Sequence, residues 1–170
     1  MTDAPRPPAA TGSSGSLYAA VGGLPALLRL ARAWHERCLA DPELAHPFTH
    51  APIHPRHSER LAAYWAEQLG GPPLWTGPGG PRTALGSHRG VVHMHSGEGV
   101  HEDLDRRAVA VFVTAMDDAG LPDEPRLRAT LTAWFTWATA LMSAYPRSAD
   151  DVPPDLAMPH WSWDGPVGTA

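Results

Sequence analysis

The 170-residue sequence has no lysine, only one cysteine and no long apolar run. With Cys38 alone, an internal disulfide and any cysteine-rich metal knuckle are excluded. The thirteen cations are all arginines spread along the chain, and eighteen acidic residues give a net charge of −5, which disfavours nucleic acid and anionic membranes as partners. The longest apolar stretch, residues 108–116, is nine residues, whereas a membrane span needs about 20.

The first residues also lack an apolar signal segment, so we expect a cytoplasmic protein. Composition divides the chain into a low-complexity arm over residues 1–15, expected to be disordered, a domain over residues 16–145, and an extended tail over residues 146–170. Hydrophobic residues make up 43% of the chain, which is enough for one buried core. Ten histidines and seven tryptophans exceed what surface solubility requires.

Apolar residues recur at helical spacing in four long segments, which predicts an all-α fold with no strand. A short helix is predicted to precede them, beginning near Ser16 and ending at the Gly22-Gly23 pair. Residues 42–55 and 70–90 are rich in proline or glycine and are predicted to be irregular. The four long segments are residues 24–40, 55–69, 101–119 and 123–145.

The sequence does not indicate nucleophilic or paired-carboxylate catalysis. Cys38 falls on the apolar face of its helix, where cysteine usually acts as a small hydrophobe. Ser87 in the Gly-Ser-His segment lacks the preceding strand that a nucleophile elbow requires. The acidic residues are scattered over predicted solvent-facing positions and form no obvious pair.

Two histidines on different helices point toward the predicted core. His57 lies four residues before Leu61 on one apolar stripe, and His35 lies four residues after Ala31 on another. A buried imidazole without a hydrogen-bond partner costs about 1–3 kcal/mol. We therefore expect His35 and His57 to share a polar ligand, the alternative being that each is a core histidine bonded to backbone.

His93-Met94-His95 is a third histidine feature, placed between an apolar Val91-Val92 pair and a glycine-rich break. Histidines two residues apart face one way only on an extended segment, where both can chelate a metal. One alternative is therefore a non-haem zinc or iron site, using His93 and His95 together with His88 or His101. The other is a solvated histidine-rich loop.

Three further segments have a distinctive arrangement of glycines and prolines: LYAAVGG at residues 17–23, LADP at 39–42 and LGGPPLWT at 69–76. Together they resemble the group II truncated haemoglobins over residues 16–145, and the tail resembles that of actinobacterial members. The resemblance implies a shortened globin, with two helices over two around a b-type haem. It also implies a histidine bound to the iron and dioxygen, NO or CO bound on the opposite, distal side.

The resemblance assigns roles to individual residues. His57 matches the distal position that faces the bound ligand, with Leu61 one turn further on, and His35 falls where the family usually has Tyr or Phe. Phe48 matches the aromatic residue that packs on the haem. The expected cofactor-contacting set is Phe48, Leu61, Tyr64, Trp65, Val91, Val92, Val100 and Ala108.

The iron ligand is expected to be His95, which keeps the family's distance to Val100 and the following helix; His88, which keeps its distance from the Gly70-Gly71-Pro72 segment, is the alternative. Ala108 departs from the family, which usually has a tryptophan there. Because this change and the one at His35 remove usual hydrogen-bond donors, oxygen affinity and reactivity cannot simply be inherited.

The primary expectation is a haem-binding globin, monomeric or homodimeric, that binds a diatomic gas. A side activity as a peroxidase or NO dioxygenase would need an electron donor, such as a reductase, that the sequence does not reveal. The alternatives are the non-haem histidine site and a cofactor-less, globin-shaped interaction module that docks through its tryptophan-rich tail.

Overall fold

The computed structural model describes residues 15–49 and 53–168, so most of the expected disordered arm lies outside the described residues. The described chain is mainly helical, which confirms the all-α prediction. Its α-helices are α1 (Leu17–Val21), α2 (Gly23–Ala40), α3 (Pro42–Ala45), α4 (His57–Gln68), α5 (His88–Met94), α6 (Glu102–Asp118) and α7 (Pro125–Met142). Three short 3-10 helices cover His46–Thr49, Ala84–Gly86 and Ala149–Asp151, and a hairpin joins β1 (His160–Ser162) to β2 (Gly165–Val167). No described helix is long and apolar enough to cross a membrane.

The junction of α1 and α2 is made by the residues that the sequence singled out. Ser16 begins α1, its hydroxyl accepting a hydrogen bond from the Ala19 amide at 3.2 Å. Gly22 ends α1 with φ of 104°, a left-handed conformation that side chains rarely adopt. A Cβ at Gly22 would also lie 3.1 Å from the Ala26 Cβ, so a glycine is required here for two reasons.

The four long helices form two packed pairs. Helix α2 packs on α4, α6 packs on α7, and α2 also contacts α6, which joins the pairs. Between them lies an aromatic cluster in which the Phe112 and Phe135 rings stack at 4.0 Å. Edge-to-face contacts of 5.5 to 6.0 Å hold the other rings, a geometry that favours aromatic pairs. The aromatic cluster comprises Trp34, Trp65, Phe112, Trp134 and Phe135.

The structure differs from the sequence prediction in its shorter elements. Residues 42–45 form α3, capped by the Asp41 carboxylate, and α5 begins at His88 inside the stretch predicted to be a loop. Four and seven residues are too few to establish a helical apolar period, so the proline and glycine content dominated the prediction. The expectation of no strand was wrong, because the tail predicted to be extended forms the β1–β2 hairpin.

Both tail tryptophans contact the helical body. The Trp161 ring lies 5.1 Å from the Trp137 ring on α7, and the Trp163 indole N–H donates to the Gly15 carbonyl at 2.9 Å. The Arg126 guanidinium lies 5.0 Å from the centre of the Trp163 ring, within cation–π distance. The hairpin thus ties the C-terminal tail to α7 and to the start of the described chain.

Candidate functional site

Three ring side chains from α2, α4 and the segment between them meet at one place. The His35 and His57 rings lie 4.6 Å apart. The Phe48 ring lies 5.1 Å from His35 and 5.9 Å from His57. His57 is the first residue of α4, and His35 lies within the last two turns of α2, so the packing of α2 on α4 brings them together.

One of these two histidines has a buried nitrogen without a partner among the described residues. His35 is buried, and its Nε2 atom has no hydrogen-bond partner. Burial lowers the pKa of His35, and burial together with the adjacent His35 lowers the pKa of His57 to about 4. Both rings are therefore neutral near pH 7, and each has one N–H to donate. A buried, unpartnered imidazole nitrogen favours a polar ligand from outside the chain.

His95 lies directly after α5. Its Nδ1 atom donates to the Val91 carbonyl at 2.8 Å, which fixes the ring and leaves Nε2 as the free nitrogen. The His95 side chain reaches solvent, yet protein surrounds it so closely that burial lowers its pKa. The charge of His95 also contributes to the lowered pKa of His57, after burial, His35 and Arg60.

His88, the alternative iron ligand, has a different environment. It is 3% exposed, and its Nδ1 atom lies 2.5 Å from the hydroxyl of Tyr64, which is 5% exposed. Burial lowers the pKa of His88 to about 4. The Tyr64 contact uses Nδ1 alone, so a buried His88 is also compatible with iron ligation through Nε2.

The residues of the predicted non-haem site are not brought together. Among residues 15–49 and 53–168, no three His, Cys, Asp or Glu side chains form a group that could hold a metal ion. His101 is paired with Asp105, with Nδ1 and Oδ1 3.0 Å apart, while His93 is exposed and His88 contacts Tyr64.

The predicted cofactor-contacting residues occupy several environments. Trp65 belongs to the aromatic cluster and is 4% exposed, and Val92 is 1% exposed, so both are enclosed by protein. Val91 and Tyr64 are also buried, whereas Leu61 and Ala108 are half-buried. Val100 is 78% exposed, and an apolar side chain in that state has surface that an apolar ligand can cover.

Two polar roles were missed by the sequence analysis. Glu67 was expected to face solvent, and this was wrong: it is 4% exposed and accepts hydrogen bonds from the Trp75 and Thr76 amides at 2.9 and 3.0 Å. Its position three residues after Tyr64, on the same helical face, was the available signal. The Trp34 indole N–H donates to the Ala108 carbonyl at 3.1 Å, which ties α2 to α6 beside the distal histidines.

Comparisons with known proteins agree with this architecture. The family model for bacterial-like globins matches residues 16–137. The thermostable hemoglobin of the actinobacterium Thermobifida fusca is 26% identical, with a TM-score of 0.56 over 84% of this chain and 100% of that one. A triple mutant of ASV-TfTrHb is 27% identical, with a TM-score of 0.57 over 85% of this chain and 99% of that one.

A third similar structure is the hemoglobin of the thermophilic phototroph Chloroflexus aurantiacus, which is 20% identical and supports the fold alone. Its TM-score is 0.59, over 76% of this chain and 98% of that one. No protein of curated function gives a significant match to the sequence.

Proposed function

We propose that this chain, which belongs to the bacterial-like globin family and is a haem-binding globin, holds its haem iron through His95 and binds a diatomic gas beside His57. The residues present fit a haem, because the buried His35 Nε2 atom beside His57 has no partner among the described residues, and the Val91 bond of His95 uses Nδ1 and not Nε2. The sequence has no Cys-x-x-Cys-His segment, so the haem would be of b type, held without a covalent link. The LYAAVGG and LGGPP segments favour group II within the family.

The geometry of His95 is the observation that carries this proposal. The Nδ1–H bond to the Val91 carbonyl selects the tautomer with a bare Nε2, which is the form that binds a metal. The same bond restricts the orientation of the His95 ring. His88 also uses its Nδ1 atom, in the bond with Tyr64, but its ring is enclosed at 3% exposure.

The distal residues would select among gases. When bound, the haem supplies an iron atom with one open coordination position. A neutral His57 N–H can donate to a polar ligand there, and the adjacent His35 ring, 4.6 Å away, restricts the orientation of His57. The Phe48 ring limits access of water from the side of the 3-10 helix. Dioxygen or NO would benefit more from this donor than the less polar CO.

The test is the absorption spectrum and iron content of the purified protein, of His95→Ala and of His88→Asn. We expect a Soret band with about one iron per chain for the unmodified protein and for His88→Asn. His95→Ala should lose most of its haem, and added imidazole, which can occupy the vacated position, should restore part of the spectrum.

Other outcomes identify the alternatives. Haem loss in His88→Asn with retention in His95→Ala would make His88 the ligand. Metal without a Soret band would indicate a non-haem site, and the absence of both from protein supplied with haem would indicate a cofactor-less interaction module.

A further inference from the structure

The contact between Tyr64 and His88, named here the Tyr64–His88 pair, is a buried hydrogen bond between α4 and α5. Tyr64 follows His57 by seven residues on α4, and His88 precedes His95 by seven residues on α5. Seven residues are two helical turns, or about 10 Å. The buried Tyr64–His88 pair joins these two segments.

The pair has the geometry of a proton-transfer contact. The Tyr64 oxygen lies 2.5 Å from His88 Nδ1, and the two ring planes are within 16° of parallel. Among the described residues, the Tyr64 hydroxyl has no other hydrogen-bond partner. With His88 in its Nε2–H tautomer, the phenol donates this bond and Nδ1 accepts it. Both side chains are at least nine-tenths buried, so water does not compete for the proton.

The role of His88 follows from the chemistry of phenols. A phenol that loses an electron becomes a strong acid and must release its proton to persist as a neutral radical. In a buried site the proton needs an acceptor already in place, and His88 supplies one within hydrogen-bond reach. Burial lowers the pKa of His88 to about 4, so the ring is neutral and able to accept near pH 7.

We propose that the Tyr64–His88 pair is a redox site that returns an electron to the haem centre after a hydroperoxide has oxidised it. This rests on the proposed function. A bound haem would supply the two electrons that, with two protons, reduce hydrogen peroxide to two molecules of water. Tyr64 then gives one electron to that centre while its phenolic proton moves to His88 Nδ1. The products are a neutral tyrosyl radical and an imidazolium, and one oxidising equivalent remains at the haem.

The neighbouring aromatic residues explain why the radical would stay on Tyr64. The Trp75 ring is 5.3 Å away, but the Arg60 guanidinium lies 5.6 Å from its centre and disfavours a positive charge on the indole. Trp34 donates its N–H to the Ala108 carbonyl, which is a much weaker base than imidazole. Among these three residues, Tyr64 alone has a basic partner for its proton.

The experiment is freeze-quench electron paramagnetic resonance of the haem-loaded ferric protein after one equivalent of hydrogen peroxide. Protein containing ring-deuterated tyrosine should show a narrowed radical signal, which identifies a tyrosyl radical. Tyr64→Phe removes one oxygen atom and should abolish that signal. Tyr18→Phe and Tyr145→Phe, which change the two other tyrosines, should leave it intact.

His88→Asn separates proton acceptance from packing, because asparagine retains an acceptor near the Nδ1 position but is not basic. We expect its radical yield to fall at least about tenfold, since a positioned base typically contributes about 100-fold or more. Radical formation in the unmodified protein should also be slower in D2O than in H2O. This measurement needs no variant.

A deuterium-insensitive tyrosyl signal, or an undiminished one in either Tyr64→Phe or His88→Asn, would overturn the proposal while the Soret band still supports the globin function. A signal that resides on tryptophan would do the same. Failure to bind haem would remove the proposed function and this proposal together.

Discussion

The same two segments of the chain, α4 and α5, are open at one end and closed at the other. At the open end, the His35 and His57 rings lie side by side, and His35 has a buried nitrogen with no partner among the described residues. At the closed end, Tyr64 bonds to His88, and Glu67 accepts from the amides of the loop that follows α4. Polar groups of similar chemistry are therefore hydrogen-bonded within the chain at the closed end and left without a partner at the open end. The two ends lie two to three helical turns apart.

The difference shows how a small helical protein separates stability from binding. A buried polar group stabilises the fold only when it has its partner, and it costs free energy when it does not. The closed end meets this condition within the chain, which fixes α5 relative to α4. The open end does not, so its imidazoles remain available to a cofactor and its ligand.

The largest effect is expected from the pH dependence of the closed end. Burial lowers the pKa of His88 from the ordinary 6.5 to about 4, so the unfolded state binds more protons between these values. The free energy of unfolding should have its full value above pH 6.5, where His88 is neutral in both states. It should decrease as the pH falls from 6.5 toward 4. A pKa difference of about 2.5 corresponds to about 3 kcal/mol.

Urea unfolding of the unmodified protein and of His88→Asn, from pH about 7 to about 4, measures this contribution. The unmodified protein should lose about 3 kcal/mol more than the variant, because every other titrating group is common to both. Parallel pH profiles would mean that His88 is not the group whose charge destabilises the closed end.

A smaller effect is expected from Glu67→Ala, which leaves the Trp75 and Thr76 amides without their acceptor. We expect a loss of about 2 kcal/mol in the free energy of unfolding, since an unsatisfied buried donor costs about 1–3 kcal/mol. The matched control is Glu59→Ala on the same helix, whose carboxylate meets Arg32 at 3.3 Å on the surface. That exposed pair should contribute less than about 1 kcal/mol. Equal losses would contradict the distinction between a closed end and a surface.

The smallest effect is expected at the open end, where His57→Leu should alter ligand binding rather than stability. Losing one hydrogen bond of about 0.5–1.5 kcal/mol would speed dioxygen release by up to about tenfold. CO release should change less, and His35→Leu should have a weaker effect than His57→Leu because it acts through the orientation of the neighbouring ring. Stopped-flow measurements of dioxygen and CO release from each variant test these expectations. Lost stability with unchanged gas kinetics would mean that the two are ordinary core histidines.

Much of the fold was predictable because it depends on patterns within single helices. Apolar spacing located the four long helices and indicated that His35 and His57 point inward, since a periodic stripe defines which face of a helix is buried. The Gly22-Gly23 pair was readable because a left-handed residue strongly favours glycine. The family resemblance rested on the same local segments, and the match of residues 16–137 to the bacterial-like globins confirms it.

Features that join different elements were decided only by tertiary structure. Periodicity places His88 and His95 on one short segment but cannot state which of them meets Tyr64, because the register between α4 and α5 is set by packing. Glu67 was misassigned for the same reason: the amides that satisfy it belong to a loop whose path the sequence does not specify. The sequence thus determined the helices and their inward residues, and the fold decided which polar groups are satisfied by the chain and which are left for a ligand.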